Sequence, residues 1–184
     1  DARPAHDLHV LVENDSVRHY IRRGLNQNAG VPQHDCFILH RDSSIEGDID
    51  WDYDTITHID ARPIDEDPLV LHGGIFTTFA NRMAQPVGYN YWSRNIVITR
   101  SNTTIDGLTH YVVGETAVGH PYRGFLSAER CANITFRNCF ATGHKIYATI
   151  GAAGKPVNMG SYDLHANNVV NLHLINCSMH HICD

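Results

Sequence analysis

Side chains suited to proton transfer and to sugar binding are concentrated between residues 110 and 165 of this 184-residue chain. Only 18% of the residues are charged, so overall composition does not explain the concentration. These residue types point to acid–base chemistry on a carbohydrate. The set consists of His110, Tyr111, Glu115, Tyr122, Arg123, Phe125, Ser127, His144, Lys145, Tyr147, Tyr162, Asp163 and His165.

Cleavage of a uronate-containing polysaccharide by β-elimination would give several of these side chains a function. Arg123 offers a bidentate donor pair that neutralises the substrate carboxylate and so acidifies the neighbouring C–H bond. Lys145 or His144 would take the proton if burial or a neighbouring cation lowered its pKa. Tyr147 or His165 could then protonate the departing glycosidic oxygen. Lys145 is equally compatible with an ordinary role as a solvated loop lysine.

Hydrolysis is the alternative reaction, and it needs two carboxyl groups on either side of the bond. Their separation is roughly 5–5.5 Å for retention of configuration and 6.5–9.5 Å for inversion. Asp163 is the best-placed carboxylate, with Glu115, Glu129 or Asp184 as candidate partners. A partner could also be contributed by sequence beyond Asp184.

A sequence repeat predicts how these side chains are positioned. Residues 95–98, 133–136 and 171–174 each begin with Asn and follow one another at intervals of 38 residues. This period is typical of a solenoid, in which each repeat buries its apolar face against its neighbours. Apolar residues alternate with variable ones in each segment, as in a strand with one buried face. Residues 125–128 and 163–166 repeat a second such strand.

Two further columns follow from the same alignment, namely Arg100, Asn138 and Asn176, then Ser101, Cys139 and Cys177. Asn tolerates the left-handed backbone conformation that a sharp bend requires, and stacked Asn side chains can pass hydrogen bonds from one repeat to the next. No stretch of about 10–15 residues has the apolar spacing of an amphipathic helix. The sequence therefore predicts an all-β parallel β-solenoid, with long excursions at residues 110–122 and 144–160.

The Asn column, the three-strand repeat and the long loops resemble the right-handed parallel β-helix, or pectate-lyase-like, superfamily. The resemblance covers residues 88–184 and implies a right-handed single-stranded parallel β-helix. It also implies that substrate lies along the outer face of the strand before the short turn. That face would present Phe125, Ser127, Asp163 and His165, and the aromatic faces of Tyr122 and Tyr162 could stack on sugar rings.

The predicted organisation is one continuous domain. Residues 88–184 would form the regular coils, and residues 1–87 an N-terminal cap with irregular first coils. Candidate strands in the first part are residues 8–13, 17–21, 36–39, 55–59, 69–71 and 75–79, with a turn at residues 14–15. Because an uncapped solenoid end exposes unpaired backbone, we expect the chain to be a segment of a longer solenoid.

An acidic stretch is a candidate for a metal site. Asp48, Asp50 and Asp52 alternate with apolar residues, so an extended strand would present them on one side, where Ca²⁺ could bind carboxylate oxygens. The stretch does not match an EF-hand loop. A solvated acidic edge that discourages strand aggregation explains the pattern equally well.

Charge and cysteine content exclude other classes of protein. A net charge of −6 and the absence of a basic run argue against nucleic-acid binding, and no apolar run is long enough for a transmembrane helix. The five Cys residues contain no C-x-x-C pair, so neither a zinc ribbon nor a thioredoxin-like site is expected. Cys139 and Cys177 are predicted to be free buried thiols, which could cross-link only if the stacked geometry allowed it.

These features favour a secreted, periplasmic, or cell- or virion-surface polysaccharide lyase that acts on an acidic glycan. A glycoside hydrolase on the same fold is the nearest alternative. A glycan-binding or virion-spike solenoid without catalytic activity is the alternative from a different class, since fold does not imply function.

Overall fold

The computed structural model describes residues 3–19, 30–79, 95–113, 124–142, 148–150, 154, 156–158 and 162–180. These residues form fifteen strands and no helix. In chain order the strands are β1 Leu8–His19, β2 Val31–Leu39, β3 Ile45–Glu46, β4 His58–Pro63, β5 Leu69–His72, β6 Ile75–Phe79, β7 Ile96–Ile98, β8 Thr103–Asp106, β9 Thr109–Val113, β10 Leu126–Arg137, β11 Phe140–Thr142, β12 Ala148–Ile150, β13 Pro156–Asn158, β14 Leu164–Ile175 and β15 Ser178–His180.

The first four strands form an antiparallel sheet with the order β3-β2-β1-β4. β1 is a single strand with a register shift between Asn14 and Arg18, rather than two strands separated by a turn. The backbone N–H of Ser16 donates to Asn14 Oδ1 at 3.0 Å inside this irregularity. The turn-forming residues therefore produce a bulge, which bends the strand without ending its pairing with β2.

Two parallel sheets contain most of the remaining strands. The order is β14-β10-β8-β5 in one sheet, where β7 also pairs with β10, and β15-β11-β9-β6 in the other. The largest hydrophobic cluster includes Ile105, Leu126, Ile134 and Phe136, all 0% exposed. This burial is the main driving force for stacking one repeat on the next.

The predicted 38-residue interval is correct for the pairing of β10 with β14 and wrong for the pairing of β8 with β10. Leu126 pairs with Leu164 and Ile134 with Leu172, both at the predicted interval. In the preceding step, however, Ile134 pairs with Thr103, which is 31 residues earlier. Asn102, and not Asn95, is consequently the neighbour of Asn133. The apolar pattern of residues 96–98 could not distinguish these two alignments. Ile96 and Ile98 face apolar residues in both, namely Ile134 and Phe136 in the predicted alignment and Leu126 and Ala128 in the structure.

Two ladders of polar side chains connect the repeats. In the first, Asn171 Nδ2 donates to Asn133 Oδ1 at 2.9 Å, and Asn133 Nδ2 donates to Asn102 Oδ1 at 2.9 Å. In the second, Asn176 Nδ2 donates to Asn138 Oδ1 at 2.8 Å. All five residues have positive φ angles, between 51° and 59°. The prediction that Asn138 and Asn176 form left-handed bends with linked side chains is confirmed.

The prediction that Arg100 belongs to the same column as Asn138 and Asn176 is wrong. The backbone N–H of Gly107 donates to Arg137 O, and that of Gly73 to Asp106 O, so both glycines precede Asn138 in the column. Gly73 and Gly107 each have a φ of 74°. Glycine adopts this conformation without steric cost and so replaces Asn at the same bend.

The chain is all-β as expected, but the prediction of a single right-handed parallel β-helix was wrong. β1 to β4 run antiparallel, as do β12 and β13. Period-two alternation is the same in parallel and antiparallel strands, so it could not reveal strand direction in the first 63 residues. The proposed domain boundary at residue 87 lies outside the described residues, and β5 and β6 before it pair with β8 and β9 after it.

The antiparallel sheet packs against the middle of β10 and β14. Ile38 and Ile64 form a cluster with Ala132 and Val170, and His9 Nε2 lies 2.9 Å from the backbone oxygen of Asn168. The two kinds of sheet therefore share a core. Among the described residues there is no helix long and apolar enough to cross a membrane.

Candidate functional site

Five of the residues predicted to act on substrate cannot be placed. Tyr122, Arg123, His144, Lys145 and Tyr147 lie outside the described residues. Most of the two predicted excursions lies there too. The roles proposed for these side chains stay predictions.

Asp163 is the most unusual ionisable group in the described part of the chain. It is 1% exposed, and neither carboxylate oxygen has a hydrogen-bond partner there. Burial disfavours the ionised form and raises the pKa of Asp163 to about 7. The backbone N–H of His180 partly offsets this effect, although its geometry falls short of a hydrogen bond. A carboxyl group in this state exchanges protons close to neutral pH.

The backbone around Asp163 is fixed by the adjacent repeat. The N–H of Leu126 donates to Asp163 O at 3.2 Å, just before β10 and β14 begin to pair. A side chain at position 124 would collide with this segment, because a Cβ on Gly124 would lie 2.8 Å from the Asp163 carbonyl carbon. Gly124 is thus needed for the close approach that positions Asp163. No local sequence pattern marks this glycine, because the close approach joins two different repeats.

Phe125 occupies the position equivalent to Asp163 one repeat earlier. Its ring stacks on His110, with centroids 3.9 Å apart and an interplanar angle of 5°. The Thr78 hydroxyl lies 2.8 Å from His110 Nε2, whereas His110 Nδ1 has no hydrogen-bond partner among the described residues. Burial lowers the pKa of His110 to about 4. The ring is therefore neutral at physiological pH and belongs to the core of β9, not to a loop.

The other predicted substrate contacts are divided between buried and half-buried positions. Ser127 is 1% exposed, and its hydroxyl donates to Glu129 Oε1 at 3.2 Å. Tyr162 and His165 are half-buried, with ring centroids 6.4 Å apart, and His165 Nδ1 is buried without a partner in the described ranges. The expectation of an exposed outer face was wrong for Phe125, Ser127 and Asp163, which are all buried. At the start of β10 both faces are covered, because Leu126 and Ala128 are buried as well as Ser127.

The acidic stretch does not form the predicted strand. β3 ends at Glu46, and Asp48, Asp50 and Asp52 are exposed in irregular backbone. Asp35 holds the segment, because its carboxylate accepts the N–H of Asp50 at 3.3 Å and the Tyr53 hydroxyl at 2.9 Å. Within the described ranges no three His, Cys, Asp or Glu side chains are grouped so that they could hold a metal ion.

A second polar cluster, which the sequence analysis missed, joins the two kinds of sheet. His40 lies between two carboxylates, with Nδ1 at 2.9 Å from Asp7 and Nε2 at 3.2 Å from Glu46. The hydrogen bond with Asp7 is the main cause that raises the pKa of His40. The other oxygen of Glu46 accepts from Asn171 Nδ2 at 2.6 Å. His40 is therefore linked through Glu46 to the end of the first Asn ladder.

Comparisons of the chain with protein-family models, with curated proteins and with solved structures gave no match. The resemblance to the pectate-lyase-like superfamily stays a prediction, and the site is interpreted from its own chemistry.

Proposed function

We propose that this chain is a carbohydrate-active enzyme that cleaves a uronate-containing polysaccharide by β-elimination, with Asp163 as the proton-transfer group. The supporting observation is a buried carboxyl group without a partner in the described residues, whose pKa is raised to about 7. Perturbed groups of this kind are concentrated at catalytic sites.

β-Elimination requires one proton to leave carbon and another to reach the departing oxygen. A group whose pKa lies near ambient pH is present in both forms and suits both transfers. Hydrolysis is less well supported. Of its candidate partner carboxylates, Glu129 is bonded to Ser127, while Glu115 and Asp184 lie outside the described residues.

Tyr162 and His165 flank Asp163 in sequence and provide the accessible part of the proposed site. An aromatic ring such as that of Tyr162 can pack on a sugar face, and the half-buried His165 ring lies beside it, with centroids 6.4 Å apart. Because the chain carries a net charge of −6, an acidic substrate also needs local positive charge, for which Arg123 and Lys145 are proposed. Asp163 is 1% exposed, so catalysis requires that substrate binding uncover it.

A panel of uronate-containing and neutral polysaccharides tests this function, with ultraviolet absorbance and reducing ends followed together. β-Elimination produces an unsaturated uronate, so both signals should rise with the acidic polymers only. Asp163→Asn should lower kcat by on the order of 100-fold or more, whereas the control Glu129→Gln should retain most activity.

Each other outcome contradicts a defined part of this function. Reducing ends without absorbance would indicate a hydrolase. Retention of glycan on the protein without cleavage would indicate a non-catalytic binding module. Undiminished cleavage by Asp163→Asn would remove Asp163 from the mechanism. A secreted or cell- or virion-surface location, where such glycans occur, belongs to the same proposal.

A further inference from the structure

Cys139 and Cys177 occupy equivalent positions in neighbouring repeats, directly after the two linked Asn bends. On one side of the cysteines, Asn176 Nδ2 donates a hydrogen bond to Asn138 Oδ1 at 2.8 Å. On the other side, the N–H of Ser178 donates to Cys139 O at 2.9 Å. Hydrogen bonds on both sides therefore hold the two residues at the spacing of neighbouring strands.

That spacing suits a covalent bond between the two side chains. Neighbouring strands lie about 4.8 Å apart, and the Cα atoms of disulfide-bonded cysteines are usually about 4.4–6.8 Å apart. Both thiols are free in this structure. Cys177 Sγ donates to the backbone oxygen of Phe136 in the preceding repeat at 3.3 Å, so its side chain lies against the repeat that carries Cys139. Burial is the main cause that raises the pKa of Cys139, and Cys177 contributes in the same direction.

The two thiols differ in accessibility in the way that an ordered exchange requires. Cys139 is 2% exposed, whereas Cys177 is only partly buried. Burial is the main reason that the pKa of Cys139 is raised, so it is a poor first nucleophile. A reagent in solution therefore meets Cys177 first.

We propose that Cys139 and Cys177 form a reversible disulfide by exchange with a low-molecular-weight disulfide such as oxidised glutathione. The Cys177 thiolate attacks one glutathione sulfur, which forms a mixed disulfide and releases one glutathione thiolate. Cys139 then loses its proton and attacks the Cys177 sulfur, which releases the second glutathione. Two electrons pass from the protein to glutathione, and the protein loses two hydrogen atoms.

The bond would covalently join two repeats and enclose the segment that contains Asp163. It restricts the unfolded chain through a loop of about 38 residues, so it should raise the thermal midpoint by on the order of 10 °C. The inference is independent of the proposed enzymatic activity, because it depends only on the repeat geometry.

The test uses the reduced, folded full chain and oxidised glutathione as the probe. After incubation, free thiols are blocked with N-ethylmaleimide, and the digested protein is analysed by mass spectrometry without reductant. We expect one pair of peptides joined through Cys139 and Cys177, which dithiothreitol separates. Cys131→Ser is the matched control and should leave this cross-link unchanged.

Variants of the two cysteines distinguish the steps. In Cys139→Ser the reaction should stop after the first step, with a glutathione adduct on Cys177. Circular dichroism would verify that this variant is folded. Cys177→Ser should leave Cys139 unmodified in the folded protein. Three results would overturn the inference: a stable glutathione adduct on Cys177 of the unaltered protein, recovery of both cysteines with free thiols, or a cross-link that forms only in denaturant.

Discussion

Replacing Asp163 by Asn tests the physical basis of the proposed site. Folding moves this carboxyl group from water, where its pKa is 3.8, into an environment where burial raises the pKa to about 7. Between these two pH values the folded chain retains a proton that the unfolded chain has released. The free energy of unfolding must therefore fall as the pH rises through this interval. Asn has a similar shape and does not ionise, so the variant lacks this dependence.

The size of the effect follows from the two pKa values. A pKa difference of one corresponds to about 1.4 kcal/mol, so the full difference corresponds to about 4 kcal/mol. Between pH 5 and pH 8, the linkage relation gives about 2.5 kcal/mol. No reduction for solvent screening is needed, because Asp163 is 1% exposed.

The assay is urea denaturation of the unaltered chain and of Asp163→Asn at several pH values from 5 to 8. Any constant cost of burying the amide is the same at each pH and cancels in the comparison. The stability of the variant relative to the unaltered chain should rise by about 2.5 kcal/mol across this range. Contributions from other titrating groups are common to both proteins and also cancel.

Asp60→Asn provides the control. Arg62 is the main cause that lowers the pKa of Asp60, with a further contribution from Arg130. The stabilisation by Asp60 is consequently present above pH 4 and lost only at lower pH. The difference in the free energy of unfolding between Asp60→Asn and the unaltered chain should therefore stay constant from pH 5 to 8. For Asp163→Asn, the same difference in the free energy of unfolding should change with pH. If it changes by less than about 0.5 kcal/mol over this range, the raised pKa of Asp163 is refuted, and with it the proposed acid–base role.

Three further predictions concern the Asn ladder, the close approach at Gly124 and the histidines. Asn133→Ala should lower the free energy of unfolding by about 2–3 kcal/mol, since it removes two hydrogen bonds and places Ala at a φ of 59°. Gly124→Ala should lower the free energy of unfolding by about 3 kcal/mol, because the added Cβ would meet backbone atoms at 2.8–2.9 Å. In an NMR pH titration, His110 should stay neutral down to about pH 4, whereas His40 should titrate above its ordinary pKa of 6.5.

Each of these predictions has a matched comparison. Asn133→Gly keeps the left-handed conformation without strain, so it should cost about 1 kcal/mol less than Asn133→Ala. A Cβ on residue 73 would meet no atom within 4 Å, so only the φ of 74° disfavours Gly73→Ala. This substitution should lower the free energy of unfolding by about 1 kcal/mol. Equal costs at positions 124 and 73 would contradict the steric explanation. A shared titration midpoint for His110 and His40 would contradict the assigned environments.

Several elements could be predicted because their signals are local. Ile75–Phe79 has the predicted bounds, and residues 36–39 and 69–71 lie in β2 and β5. The 38-residue step between β10 and β14 was also readable, since it aligns apolar residues and Asn together. These properties depend on strand alternation and on the backbone preference of Asn, both of which act over a few residues.

Other features depend on contacts between distant segments. The pairing of β1 with β2 and β4 is antiparallel, yet the alternation within β1 would be the same in a parallel sheet. The burial of Ser127 and Phe125 was missed because alternation assigned them to the outer face of a strand. Their environment is set by whatever covers that face, and that information is not contained in the strand itself.

Residue types and their spacing predict that the chain is built of strands and that left-handed Asn bends link its repeats through their side chains, and both predictions are confirmed. The direction of the first four strands, the 31-residue step and the burial of Asp163 result from packing between distant segments. Residue type and spacing control local backbone conformation. Strand direction, register and the pKa of a carboxyl group depend on which distant segments pack against it.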